Sequence, residues 1–112
     1  MTMRMKVTQY GYPGDPYTDS ETAKGNGAYH KLEAGVSCAL TDSAKHALGA
    51  TKQCWIKIAF AGGTSQVRRY DDRAPEADNR VDLYNPQGFE TALGDYAEIS
   101  VTSTPAHDAS RV

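Results

Sequence analysis

The sequence predicts a mainly β chain folded as a small barrel with one or two short helices. Three observations predict it. Five or six short runs alternate apolar and polar residues, as half-buried strands do. Gly, Pro, Asn and Asp gather between those runs. The helix-like pieces are short and sit between strands as crossover connections, which favours a barrel over a sandwich. The 112 residues suit one domain. Apolar residues make up 39% and seven of the aromatics are Tyr, a polar, Tyr-rich balance that fits a small β domain better than a helical bundle.

The elements follow in order. Lys6 to Tyr12 reads as an opening strand with large or β-branched residues on both faces. Pro13-Gly14-Asp15-Pro16 ends it, because proline removes a ladder donor and Pro-Gly turns the chain. Tyr17 to Leu32 reads as a long surface loop whose Tyr17, Tyr29 and His30 either bind or merely cover the barrel wall. Gly35 to Leu40 is a short strand. Thr41-Asp42-Ser43 is an N-cap cluster for helical turns over Ala44 to Leu48, stopped at Gly49. Gln53 to Phe60 is the clearest strand, with Cys54, Ile56, Ile58 and Phe60 on one face. Ala61-Gly62-Gly63-Thr64 turns a hairpin into Ser65–Tyr70. Arg68 and Arg69 there point to opposite faces. Asp71 to Asn79 reads as a polar loop, and Arg80 to Tyr84 as a strand. Phe89, Ala92 and Leu93 have helical spacing, with Gly94 as the stop. Asp95 to Thr102 closes the fold with Ala97, Ile99 and Val101 inward. The domain spans 1–103, and 104–112 reads as a flexible tail.

Totals exclude several classes. Lys plus Arg is 12, Asp plus Glu is 14, and the formal charge is −2. That balance gives no support to a nucleic-acid partner. No apolar run approaches the roughly 20 residues of a membrane span, so no membrane insertion is expected. No signal peptide is visible, which leaves a cytoplasmic location, export without a cleaved leader, and a mature form all open. Cys38 and Cys54 are either a disulfide closing a loop of about 15 residues, stabilising by ~3 kcal/mol, or two reduced thiols. No cofactor is expected, and no Cys/His cluster has metal-ligand spacing.

The chemistry concentrates between Tyr70 and Gly94. Asp82 sits between Val81 and Leu83, so in a strand it faces away from both. A carboxylate there is costly unless it finds a partner, water or a role.

The order of short motifs resembles the double-psi β-barrel of the expansin, barwin and rare lipoprotein A group. That group shows D-R-G-P, then R-x-I-D-L-S, then A-F-x-x-L-G. Here the chain reads Asp72-Arg73-Ala74-Pro75, Arg80-Val81-Asp82-Leu83 and Gly88-Phe89-Glu90-Thr91-Ala92-Leu93-Gly94. Upstream, Thr8-Gln9-Tyr10-Gly11-Tyr12 is similar to the group's T-x-Y/F-G opening. Ala47-Leu48-Gly49-Ala50 is similar to its P-L-G-T lead-in, and Gly62-Gly63-Thr64 to its hairpin tip.

The resemblance implies a six-stranded double-psi barrel and a polysaccharide or peptidoglycan groove lined by Thr8, Asp72 and Asp82. Asp71 competes with Asp72 for the first acid position. Tyr10, Tyr12, Trp55 and Tyr84 are the aromatics that would stack sugar faces. The resemblance also implies a secreted or cell-envelope setting. Its lytic transglycosylases use an acid at the Asp82 position as proton donor, because a carboxyl in an apolar-walled groove keeps its proton. Their accompanying Glu and His have no counterpart near Asn26-Gly27-Ala28-Tyr29 or Ala39-Leu40-Thr41. The expectation is therefore wall-glycan binding or loosening without hydrolysis. The alternatives are a protein-interaction module on the same fold and a minimal transglycosylase with Asp82 as acid.

Overall fold

The structure, a computed structural model, describes residues 2–103. The strands are β1 Met3–Tyr10, β2 Ser37–Thr41, β3 Trp55–Phe60, β4 Ser65–Ala74, β5 Arg80–Tyr84 and β6 Tyr96–Thr102. Two short helices, α1 Ser20–Ala23 and α2 Asp42–Leu48, lie in connections. The six strands close a barrel in the order β1–β5–β2–β4–β3–β6. The mainly β barrel with short helices is therefore the fold. The expected tail at 104–112 lies outside the described residues.

Two neighbouring pairs are parallel, β1 with β5 and β2 with β4, and the other four are antiparallel. Parallel neighbours need crossover connections, so this is not an up-and-down barrel. The pairing pattern is unchanged when β1 is exchanged with β4, β5 with β2, and β6 with β3. The β2–β5 contact lies on that pseudo-twofold, and the site described below straddles it.

Alternation fills the interior. Leu40, Ile56, Ile58, Tyr70, Val81, Leu83 and Ile99 are fully buried; burying an aliphatic side chain of this size contributes roughly 1.5–3 kcal/mol. α2 begins as the sequence predicts. Thr41 Oγ1 accepts from Ala44 N at 3.2 Å and also from Arg80 N at 3.1 Å, tying the helix start to β5. Gly49 ends the helix in the left-handed region.

Several boundaries move. β4 runs on to Ala74, so the expected loop from Asp71 starts instead as strand. The Tyr17–Leu32 stretch contains α1, capped by Asp19 accepting from Thr22 N at 2.7 Å. Phe89 to Leu93 is not helical. There the Gln9 side chain accepts from Glu90 N at 2.7 Å and donates to Glu90 O at 2.9 Å, tying this segment to β1. Phe89 is half-exposed and packs edge-on against Tyr12 rather than into the core. Val101 is 43% exposed, so the inward face of β6 ends at Ile99.

Cys38 and Cys54 are free thiols. Tyr70 explains why. It pairs with Cys38 across β2–β4, while its N–H donates to Cys54 O on the other side. The two cysteines thus flank β4, about two strand spacings or ~10 Å apart, beyond the Cα separation a disulfide spans.

Candidate functional site

The barrel pairing builds one row of side chains. Thr8 on β1 pairs with Asp82 on β5, Asp82 pairs with Ala39 on β2, and Ala39 pairs with Asp72 on β4. Thr8, Ala39, Asp72 and Asp82 all line an open groove of about 320 Å³. Ala39 is the spacer. Its methyl group keeps room between the two acids, whose backbones stand about two strand spacings apart. Tyr10, Tyr12 and the 90%-exposed Tyr17 add aromatic surface to the lining.

The two acids sit in different environments. Asp72 has both oxygens engaged. Tyr10 Oη donates to Oδ2 at 3.1 Å, and the N–H groups of Ala28 and Arg73 each donate to Oδ1 at 2.9 Å. The Ala28 bond fastens the α1–β2 loop to the groove wall. Gly27 makes that approach feasible, since a Cβ there would meet His30 O at 2.6 Å and Asp71 O at 2.7 Å. Burial, then the neighbouring Asp72 carboxylate, pushes the Tyr10 phenol well up, so Tyr10 keeps its proton and donates.

Asp82 lies in the groove without an ion pair among the described residues. Burial pushes its carboxyl up to about 7. The Thr8 hydroxyl opposes that rise, Glu76 adds to it, Arg80 opposes it and Asp15 adds to it. Thr8 stands close enough to favour the charged form, yet Thr8 Oγ1 and Asp82 Oδ1 are both buried and make no hydrogen bond of ordinary geometry within the protein. Buried polar atoms are normally paired, so these two atoms carry unused hydrogen-bonding capacity at the groove floor.

Asp15 closes one end. Burial favours its neutral form. The N–H groups of Tyr17 and Gly11 and the Thr18 hydroxyl outweigh burial and hold it below the usual carboxylate range. Gly11 is required there: its φ is +75°, and a Cβ would meet the Tyr84 ring at 2.7 Å.

Not every sequence candidate reaches the groove. Asp71 is fully buried and taken up by Ser37 Oγ at 2.5 Å and Arg69 Nε at 2.7 Å. Trp55 faces the Arg69 guanidinium, 5.9 Å from ring centroid. Tyr84 is buried against Tyr10 with ring centroids 5.5 Å apart, and supports it rather than presenting a face. Groove residues that sequence reasoning did not single out include Ala39, Asp15, Asp19, Thr22, Glu76 and Arg80.

At the opposite flank, buried Arg68 is satisfied by Ser37 O, Tyr84 O and Asn85 Oδ1 at 3.3, 3.1 and 2.9 Å. It is structural, bridging β2, β4 and the end of β5. Among the described residues no group of three or more His, Cys, Asp or Glu is arranged to hold a metal ion, and no helix is long and apolar enough to cross a membrane.

No protein-family model and no curated protein matches the sequence.

Proposed function

We propose that the groove binds a cell-wall polysaccharide, peptidoglycan or a plant-type glycan, without hydrolysing it. The observation that carries this reading is the Thr8–Asp82–Ala39–Asp72 row lining an open groove beside Tyr12 and Tyr17. Sugar chains offer hydroxyls to polar side chains and apolar ring faces to aromatics, and this groove is lined by both. Both Asp72 oxygens already accept hydrogen bonds. That favours holding a glycan over activating a water. Co-sedimentation with purified peptidoglycan and with cellulose tests the proposal. Binding to one of them, weakened at least several-fold by Thr8→Val, is expected; binding to neither at low salt sinks it.

A second reading rests on the Asp82 carboxyl alone. Raised to about 7, it keeps its proton in a substantial share of molecules near neutral pH and suits a general acid that protonates a glycosidic oxygen. Under that reading the protein is a minimal lytic transglycosylase. It predicts release of anhydro-ended fragments from peptidoglycan, and release that persists in Asp82→Ala removes Asp82 from the role.

A further inference from the structure

Charge around the groove is one-sided. Asp15, Asp19, Asp72 and Glu76 line it, and the Asp82 carboxyl joins them in charge only as pH rises through about 7. The two guanidiniums that also line it are matched elsewhere. Arg73 binds Asp42 through two hydrogen bonds of 2.9 and 2.8 Å, and Arg80 binds Asp78 through two of 3.0 and 2.8 Å. Neither Asp42 nor Asp78 lines the groove. The carboxyls inside are thus left in excess, and a cleft lined by one sign of charge concentrates the opposite sign.

An independent observation shows that more than charge is on offer. Thr8 Oγ1 and Asp82 Oδ1 face one another at the floor of the same groove without a hydrogen bond of ordinary geometry. Tyr12 and Tyr17 supply π faces, which attract cations as well as apolar ring faces. A ring with hydroxyls, an apolar face and an ammonium group meets all three features.

Building on the glycan-binding reading above, we infer that the groove selects a cationic glycan, a chain of amino sugars with free amines, over neutral or anionic chains of the same length. An N-acetyl group would replace a three-donor cation by a neutral amide and leave the carboxyl excess unmatched.

The test is calorimetric titration of the full chain with glucosamine oligomers, N-acetylglucosamine oligomers, oligogalacturonate and oligolysine, all of one length, at mildly acidic pH and two salt concentrations. The glucosamine oligomer should bind roughly ten-fold tighter than its acetylated form, the equivalent of two or three exposed ion pairs, and lose affinity as salt rises. Glu76 is exposed, so Glu76→Gln should keep the parent's thermal unfolding while weakening the glucosamine oligomer roughly two- to five-fold. Equal or tighter binding of the acetylated or anionic chain overturns the inference and leaves the glycan groove standing. Oligolysine binding as tightly as glucosamine oligomer overturns it too, since the groove would then read charge alone. No binding of any oligosaccharide overturns both this inference and the proposal beneath it.

Discussion

Asp82→Asn separates ionisation from shape. The amide keeps the side chain's size and much of its hydrogen-bonding capacity but cannot lose a proton. In the folded chain burial raises the Asp82 carboxyl from 3.8 to about 7. Because the folded value lies above the unfolded one, the unfolded chain ionises first. The group's contribution to stability is full below the unfolded value and is lost as pH rises through the folded one. Fully developed, that loss is roughly 4 kcal/mol, of which roughly 3 kcal/mol falls between about pH 5 and about pH 8. The variant should therefore gain on the parent as pH rises. Urea unfolding of both proteins at the two pH values reads the gap, which should widen by roughly 3 kcal/mol. Between about pH 5 and about pH 8 the variant's Tm should rise relative to the parent's by roughly 10 °C or more. A gap that stays constant across pH refutes the reasoning, as does a carboxyl carbon resonance of Asp82 titrating near the ordinary Asp value.

Other outcomes follow from the same geometry. Tyr10→Phe removes the donor to Asp72 Oδ2 and should lower stability by about 0.5–1.5 kcal/mol in urea. Its glycan affinity should fall as well, and an unchanged affinity would show that Asp72 needs no clamp. Gly27→Ala drives a Cβ against His30 O and Asp71 O; it should cost more than about 1 kcal/mol and speed amide exchange at Ala28. Arg69→Ala leaves Asp71 buried with only Ser37, so a loss of about 3–5 kcal/mol is expected, partly recovered by adding Asp71→Asn. Burial pushes the Cys38 thiol up and only part-covers Cys54. A thiol reagent should label Cys54 in the native protein and Cys38 only on unfolding; equal labelling rates would contradict the register described here.

Much of the barrel was legible in the chain. Within the expected Gln53–Phe60 strand the alternation holds from Trp55 on, while Gln53 and Cys54 lie outside it; that alternation, the Gly62-Gly63 turn and the Thr41/Gly49 caps act through neighbours a few residues away. The Phe89–Leu93 segment is not helical, and its partner is remote: the amide of Gln9, 81 residues away, binds both Glu90 N and Glu90 O. No window of sequence contains both.

The acids divide the same way. Asp82 was singled out by sequence alone, since a carboxylate between Val81 and Leu83 is forced by the period of a strand onto the face opposite theirs. Which earlier acid joins it was not decidable there. The register between β2 and β4 shifts between Cys38 and Ala39, so Cys38 pairs with Tyr70 but Ala39 pairs with Asp72. That bulge leaves Asp71 outside the ladder, buried on Ser37 and Arg69, and delivers Asp72 to the groove. The sequence by itself determined the strands, the hairpin and the presence of a misplaced acid, because these depend on local periodicity and turn chemistry. Only the tertiary structure decided that Asp72 rather than Asp71 stands across Ala39 from Asp82, because a bulge is a property of two paired strands and neither strand records it alone.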